Sequence, residues 1–166
     1  MRRPSDWQYL ILAACALLAD RLTKFAVERW SVPGFEHVLV PGMLNLIHTN
    51  NPGVAFGLFA DSGSPWLSPL LILFSASVIV FLVWLLTTGR AGGNAGKTGM
   101  ALILGGAAGN LLDRVVRHSV TDFIDFHIGT HHWYTFNIAD SVIVAGSFLV
   151  LFELLKDWKQ AAEEKA

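Results

Sequence analysis

Charge is scarce in this sequence. Of 166 residues only 15% are Asp, Glu, Lys or Arg, whereas 53% are hydrophobic. Water-soluble domains usually carry about a quarter charged residues, and disordered chains carry still more charge with fewer Leu, Ile, Val and Phe. Both classes are excluded. An excess of one sign is missing too: 12 basic residues stand against 13 acidic ones, a formal net charge of −1, with no long run of either. A surface that tracks phosphates is therefore not expected, and no nucleic-acid partner. Cysteine is nearly absent, since Cys15 is alone within the apolar stretch Tyr9 to Ala19 and cannot staple the fold. Leu12-Ala13-Ala14-Cys15 has the form of a lipid-attachment box, but the apolar run before it begins only at Tyr9, behind polar Asp6 and Gln8. That is short for a cleaved signal and fits an uncleaved first span.

What the sequence does contain is long apolar segments. A membrane-crossing helix needs about 20 mostly apolar residues. Four such segments predict an α-helical integral membrane protein, a single membrane domain over residues 1–166 with spans at about 7–27, 66–88, 98–116 and 137–158. Trp66 to Thr88 holds no charge. The first span is interrupted by Asp20, Arg21 and Lys24, the third ends at Asp113-Arg114, and the fourth opens with Asn137 and Asp140. Arg2, Arg3, Arg90, Lys97, Lys156, Lys159 and Lys165 fall on the side of the termini, against Arg29, Arg114 and Arg117 on the other. The positive-inside rule then predicts cytoplasmic termini, with Asp20, Asp113 and Asp140 all near the outer membrane surface.

A carboxylate at membrane depth costs several kcal/mol unless paired or hydrated, so three at one surface draw attention. Asp20 and Lys24 have the i,i+4 order of a helix ion pair, and Arg114 is the expected counter-ion of Asp113, which lies where the helix dipole disfavours an anion. A structural role is expected for both aspartates. Asp140 has no basic partner in sequence reach and also suits a helix cap. Asn110-Leu-Leu-Asp113 and Asn137-Ile-Ala-Asp140 each set an amide beside a carboxylate on one helical face, where it can orient that carboxylate. Two such pairs on one side predict a site.

The external segments add to it. Residues 31–65 contain strand-like pieces, Val38 to Val40, Met43 to Thr49 and Val54 to Phe59, separated by Pro41-Gly42 and Asn50-Asn51-Pro52-Gly53. A small external β-rich cradle is predicted, its edge able either to pair with an extended peptide or to serve as a plain cap. Asn51 and Gly53 fit turn geometry alone. The segment 117–135 carries Asp122-Phe123-Ile124-Asp125-Phe126, and either aspartate is in reach of Asp140. His118, His127, His131 and His132 match no familiar zinc spacing and read as surface residues. No GxSxG elbow offers a serine nucleophile.

Four blocks, in this order, resemble the lipoprotein signal peptidases (signal peptidase II), bacterial membrane aspartic peptidases. They are Asp20-Arg21-Leu22-Thr23-Lys24; Asn51-Pro52-Gly53-Val54-Ala55-Phe56; Gly105 to Arg114 continuing through Val120-Thr121-Asp122-Phe123; and Phe136-Asn137-Ile138-Ala139-Asp140-Ser141. The resemblance implies a catalytic dyad of Asp122 and Asp140. It implies supporting or substrate-lining positions for Asn51, Gly53, Asn110, Asp113, Arg114, Asn137, Asp20 and Lys24. His118 stands where the family often has Gly, and Thr135 where Pro is frequent. The implied substrate is a prolipoprotein signal peptide carrying a diacylglyceryl-cysteine, held partly in membrane lipid and cut just before that cysteine. The enzyme would work as a monomer in the bacterial cytoplasmic (inner) membrane, with its site at the outer face. No cofactor and no metal is implied. A different class, a small proton-coupled transporter or channel subunit, would spread its carboxylates across the bilayer, whereas those in or beside these spans gather mainly at one surface.

Overall fold

Tyr9, Ala13, Ala16, Asp20 and Lys24 recur at spacings of three and four, which aligns them along one face of a helix. In the computed structural model that face is the buried side of α1, Trp7–Trp30. The structure describes residues 7–53 and 66–164. The expected strand Val54 to Phe59, and Arg2, Arg3 and Lys165, lie outside the described residues.

Three further helices follow: α2 (Leu67–Thr88), α3 (Asn94–Arg117) and α4 (Ile138–Glu163). With 22, 24 and 26 residues, each is long and apolar enough to cross a membrane. At about 1.5 Å per residue they exceed the roughly 30 Å hydrocarbon thickness. Helix α1 falls short on composition because of Asp20, Arg21 and Lys24. Asp20 and Lys24 are fully buried, while Ile11, Leu18, Leu22 and Phe25 face outward. The lipid-facing side of α1 is therefore apolar although its sequence is interrupted. The chain is an integral membrane protein with four transmembrane helices and an antiparallel sheet.

Helix α3 is central, packed on α4, α1 and α2. Its small residues permit this. A Cβ on Gly105 would lie 2.5 Å from the Ala13 carbonyl oxygen of α1, and one on Gly106 would lie 2.5 Å from the Ala139 carbonyl oxygen of α4. The backbones thus approach too closely for any side chain. Helices α3 and α4 run past the predicted spans, by four residues before 98 and five after 158. At the far end of α4, buried Glu153 packs by Gly92, Gly93 and Gly96 at the start of α3. This carboxylate lies where the dipole of α3 favours an anion, and it pairs with Lys156 at 3.3 Å.

The sheet joins both external segments. Its order is β1 (Glu36–Val40), β2 (Leu44–Asn51), β3 (Val120–Ile128) and β4 (His131–His132), all antiparallel. The segment containing β3 was expected as a loop; instead β3 pairs with β2 from Leu44↔Phe126 to Asn51↔Val120. Helix α3 ends at His118, whose φ of 59° is the left-handed cap conformation. A glycine adopts that conformation without steric cost, so His118 is a strained substitute.

Candidate active site

The sequence spacing of Asp20 and Lys24 produces the expected ion pair, 3.0 Å long and fully buried. Lys24 also reaches Asp113 Oδ2 at 2.7 Å and donates to Asn110 Oδ1 at 2.9 Å. Arg21 forms a second ion pair with Asp113. The expected partnership of Asp113 with Arg114 is thus corrected: the cations of Asp113 come from α1, because α3 packs its polar end against that helix. Asp20 has a second task, accepting a 3.0 Å hydrogen bond from the backbone N–H of Ala139 in the first turn of α4. Two carboxylates and two cations balance one another, which is the condition for keeping such groups at membrane depth.

Next to this lock lies a network of amides and carboxylates. Asn137 is the N-cap of α4, and with Asp140 it forms a reciprocal capping box: the Asp140 N–H donates to Asn137 Oδ1 at 3.0 Å, and the Asn137 N–H to Asp140 Oδ2 at 3.3 Å. The free side of the same amide donates to Asp122 Oδ1 at 2.6 Å. Asn110 donates to Asp140 Oδ1 at 2.8 Å. Sequence spacing had paired Asn110 with Asp113; across the helix interface it serves Asp140 instead.

Main-chain pairing brings the two carboxylates together. The N–H groups of Phe123 and Ile124 both donate to the Phe136 carbonyl, and the Phe136 N–H donates back to Ile124. This draws the segment before α4 alongside β3. Asp122 is 1% exposed, and burial together with the Asp140 charge pushes its carboxyl up to about 7, against the opposing pull of the Asn51 and Asn137 amides and Lys24. Asp125, three residues on, faces the other side of the strand and bonds to Asn45 and His132. Of the two candidates, Asp122 is the one joined to Asp140.

The turn after β2 contributes through Asn51, whose Nδ2 donates to Asp122 Oδ2 at 3.0 Å while its Oδ1 accepts from the Gly53 N–H at 2.9 Å. Turn geometry and site geometry coincide here, since the bend orients the amide toward Asp122. Arg114 holds the turn by donating to the Gly53 carbonyl at 3.0 Å, and its guanidinium lies in the field of Asp140, Asp122 and Asp113. A cavity of about 710 Å³ opens beside Asp140, with walls that include Phe74, Val78, Ile103, Ile143 and Val144. Its polar end is Asn110, Arg114 and Asp140.

Other participants escaped the sequence reading. Arg21 stood in a quoted motif but with no assigned role. Glu28 accepts from Arg117 and, at 2.8 Å, from the buried Thr121 hydroxyl, tying α1 to the start of β3. Nothing local in the sequence marks that contact, which spans 93 positions. The reading of the histidines as surface residues is corrected at His127, which is 6% exposed.

A family model for signal peptidase (SPase) II matches residues 12–156. The chain is 42% identical over 157 residues to the lipoprotein signal peptidase of Solibacter usitatus, covering 94% of this chain and 95% of that protein. To the lipoprotein signal peptidase of Oleidesulfovibrio alaskensis it is 36% identical over 155 residues, with 93% and 98% covered. A bacterial membrane enzyme solved by the in meso method at 2.3 Å superposes with a TM-score of 0.81 at 27% identity, over 92% of this chain and 90% of that one. The residues matched include every element that builds the buried carboxylate network. The chain therefore belongs to the signal peptidase II family, membrane aspartic peptidases of bacteria that remove the signal peptides of prolipoproteins.

Proposed function

We propose that Asp122 and Asp140 are the catalytic pair, and that the peptide bond they hydrolyse is the one just before a diacylglyceryl-modified cysteine. The observation that carries this reading is the double engagement of Asn137, which binds Asp122 through its side-chain N–H and Asp140 through its capping box. Two carboxylates held this way share a proton. Burial favours the shared proton on Asp122. Asp140 takes a proton from a water that attacks the scissile carbonyl carbon, while Asp122 gives its proton to the carbonyl oxygen. As the C–N bond breaks, Asp140 passes its proton to the leaving amine and a hydroxyl proton returns to Asp122. Both acids are then restored without a covalent intermediate.

Asn51, Asn110 and Asn137 orient the pair, Arg114 fixes the Asn51 turn through Gly53, and Asp20, Lys24 and Asp113 lock the helices beneath. The apolar cavity beside Asp140 suits a lipid-modified or signal-peptide segment, and the exposed β1 edge suits the peptide beyond it. Arg90, Lys97, Lys156 and Lys159 lie at the helix ends remote from Asp140, which supports cytoplasmic termini and a site at the outer face of the cytoplasmic membrane. The test is mass spectrometry of the products from a precursor supplied with and without the diacylglyceryl group. Only the modified precursor should be cut, immediately before its cysteine; equal cleavage of both would contradict the substrate assignment.

A further inference from the structure

On the face of β3 turned away from Asp122, strand alternation and cross-strand register gather a second polar cluster. Asp125 and His127 are two positions apart and so point the same way. Asn45 lies opposite Asp125 on β2, and His132 lies opposite His127 on β4. The two imidazoles stack with ring centroids 4.6 Å apart, and both turn Nδ1 toward the Asp125 carboxylate: His132 Nδ1 is 3.0 Å from Oδ1, and His127 Nδ1 is 3.6 Å from Oδ2. Asp125 and His127 are each 6% exposed. Asn45 Nδ2 donates to Asp125 Oδ2 at 3.0 Å and to Glu36 at 3.1 Å, which fixes the carboxylate from behind.

An independent feature points to a ligand. His127 Nδ1 is buried, turned toward the carboxylate, and makes no hydrogen bond among the described residues. A buried ring nitrogen without a partner is costly in a finished protein interior, and a bound ion removes the cost. One ligand atom from each of Asp125, His127 and His132 lies within 4.8 Å of the others. Tetrahedral zinc with bonds of about 2.0–2.1 Å brings ligand atoms to about 3.3 Å apart. His132, whose side chain is 54% exposed, is the member with room to turn toward that spacing.

We propose that Asp125, His127 and His132 form a binding site for a divalent transition metal of the zinc class, with Asn45 orienting the carboxylate. The set is two imidazoles and one carboxylate, a chemistry that suits Zn²⁺ over Mg²⁺ or Ca²⁺, which prefer all-oxygen ligands. Its role is to clamp the two-residue β4 onto β3. His132 is followed directly by Trp133 to Phe136, which line the cavity beside Asp140, so the ion steadies that wall without touching the reacting groups. The site is independent of the catalytic assignment.

The test titrates chelator-treated, detergent-solubilised protein with Co²⁺ and records visible d–d absorption, followed by displacement with Zn²⁺. One saturating equivalent with a low-symmetry spectrum is expected, together with a rise in Tm on adding Zn²⁺ that Mg²⁺ does not produce. His132→Ala, an exposed substitution that leaves the fold intact, and Asp125→Asn should abolish the spectrum. Asn45→Ala should weaken binding by about tenfold. His131→Ala, on the opposite face of β4, should retain it. Absence of saturable binding by the wild-type protein, or a spectrum that survives His132→Ala, would overturn the proposal.

Discussion

Asn137 Nδ2 stands 2.6 Å from Asp122 Oδ1, while the oxygen of the same amide caps the helix that carries Asp140. One side chain thus serves as both helix cap and bridge between two carboxylates on different elements. The two tasks can be separated. Asn137→Ser keeps an efficient cap but is too short to reach Asp122, so Tm should stay near wild type while kcat falls about ten- to a hundredfold, the worth of a hydrogen bond to the carboxylate that Asp122 becomes as it gives up its proton. Asn137→Ala should lose both, with about 1 kcal/mol of stability gone as well. Equal turnover in Asn137→Ser and wild type would remove the bridging role.

The raised Asp122 carboxyl predicts a pH signature in catalysis. With its pKa near 7, the acid form needed to protonate the carbonyl oxygen is lost as pH rises through that value. The profile of kcat/KM should show an alkaline limb near pH 7. A profile flat to pH 9 would contradict the assignment of the proton to Asp122.

Stability follows the same group with a definite sign. The folded state holds the Asp122 proton more tightly than the unfolded chain, whose value is 3.8. This contribution is complete below pH 3.8 and is lost as pH climbs to about 7, because the unfolded state releases its proton first. Thermal unfolding should show Asp122→Asn gaining on wild type across that window. A gap that stays constant with pH would refute the linkage.

Lys24 holds two buried carboxylates and the Asn110 amide. Its replacement in Lys24→Met leaves Asp20 and Asp113 short of a cation, and breaking such a buried pair costs about 3–5 kcal/mol. Tm should fall accordingly, and the double variant Lys24→Met with Asp20→Asn should recover part of the loss. A single variant as stable as wild type would show the lock to be dispensable.

Much of this arrangement was legible wherever the interaction is local. Asp20 with Lys24, and Asn137 with Asp140, are one helical turn apart, and their contacts follow from spacing. The resemblance to a family pointed to Asp122 where spacing left Asp122 and Asp125 equivalent; only the pairing of β3 with β2 and with Phe136 turns one toward Asp140 and the other away. Non-local contacts were not legible. Asp113 draws its cations from a helix some 90 positions earlier, and Asn110 turns from its i+3 neighbour to a carboxylate on α4. Strand β3 was read as a loop because its partner lies in the other external segment. His127 was read as exposed because its own spacing does not mark the pairing that sets it between the chain at Met43 on one side and β4 on the other.

His118 offers a test of backbone strain. Its φ of 59° favours glycine, so His118→Gly should raise stability by about 1 kcal/mol. Thermal unfolding in detergent checks this, and a loss of stability would mean that the imidazole makes a compensating contact.

The central claim is tested most directly by turnover of a lipid-modified precursor in Asp122→Asn and Asp140→Asn, with folding followed by Tm and with exposed Asp157→Asn as control. Both site variants should fold and lose turnover by at least about a thousandfold, in the range attributed to general acid–base chemistry, while the control stays at the wild-type rate. Near-normal cleavage by either site variant, or loss of cleavage in Asp125→Asn while Asp122→Asn remains active, would contradict the assignment.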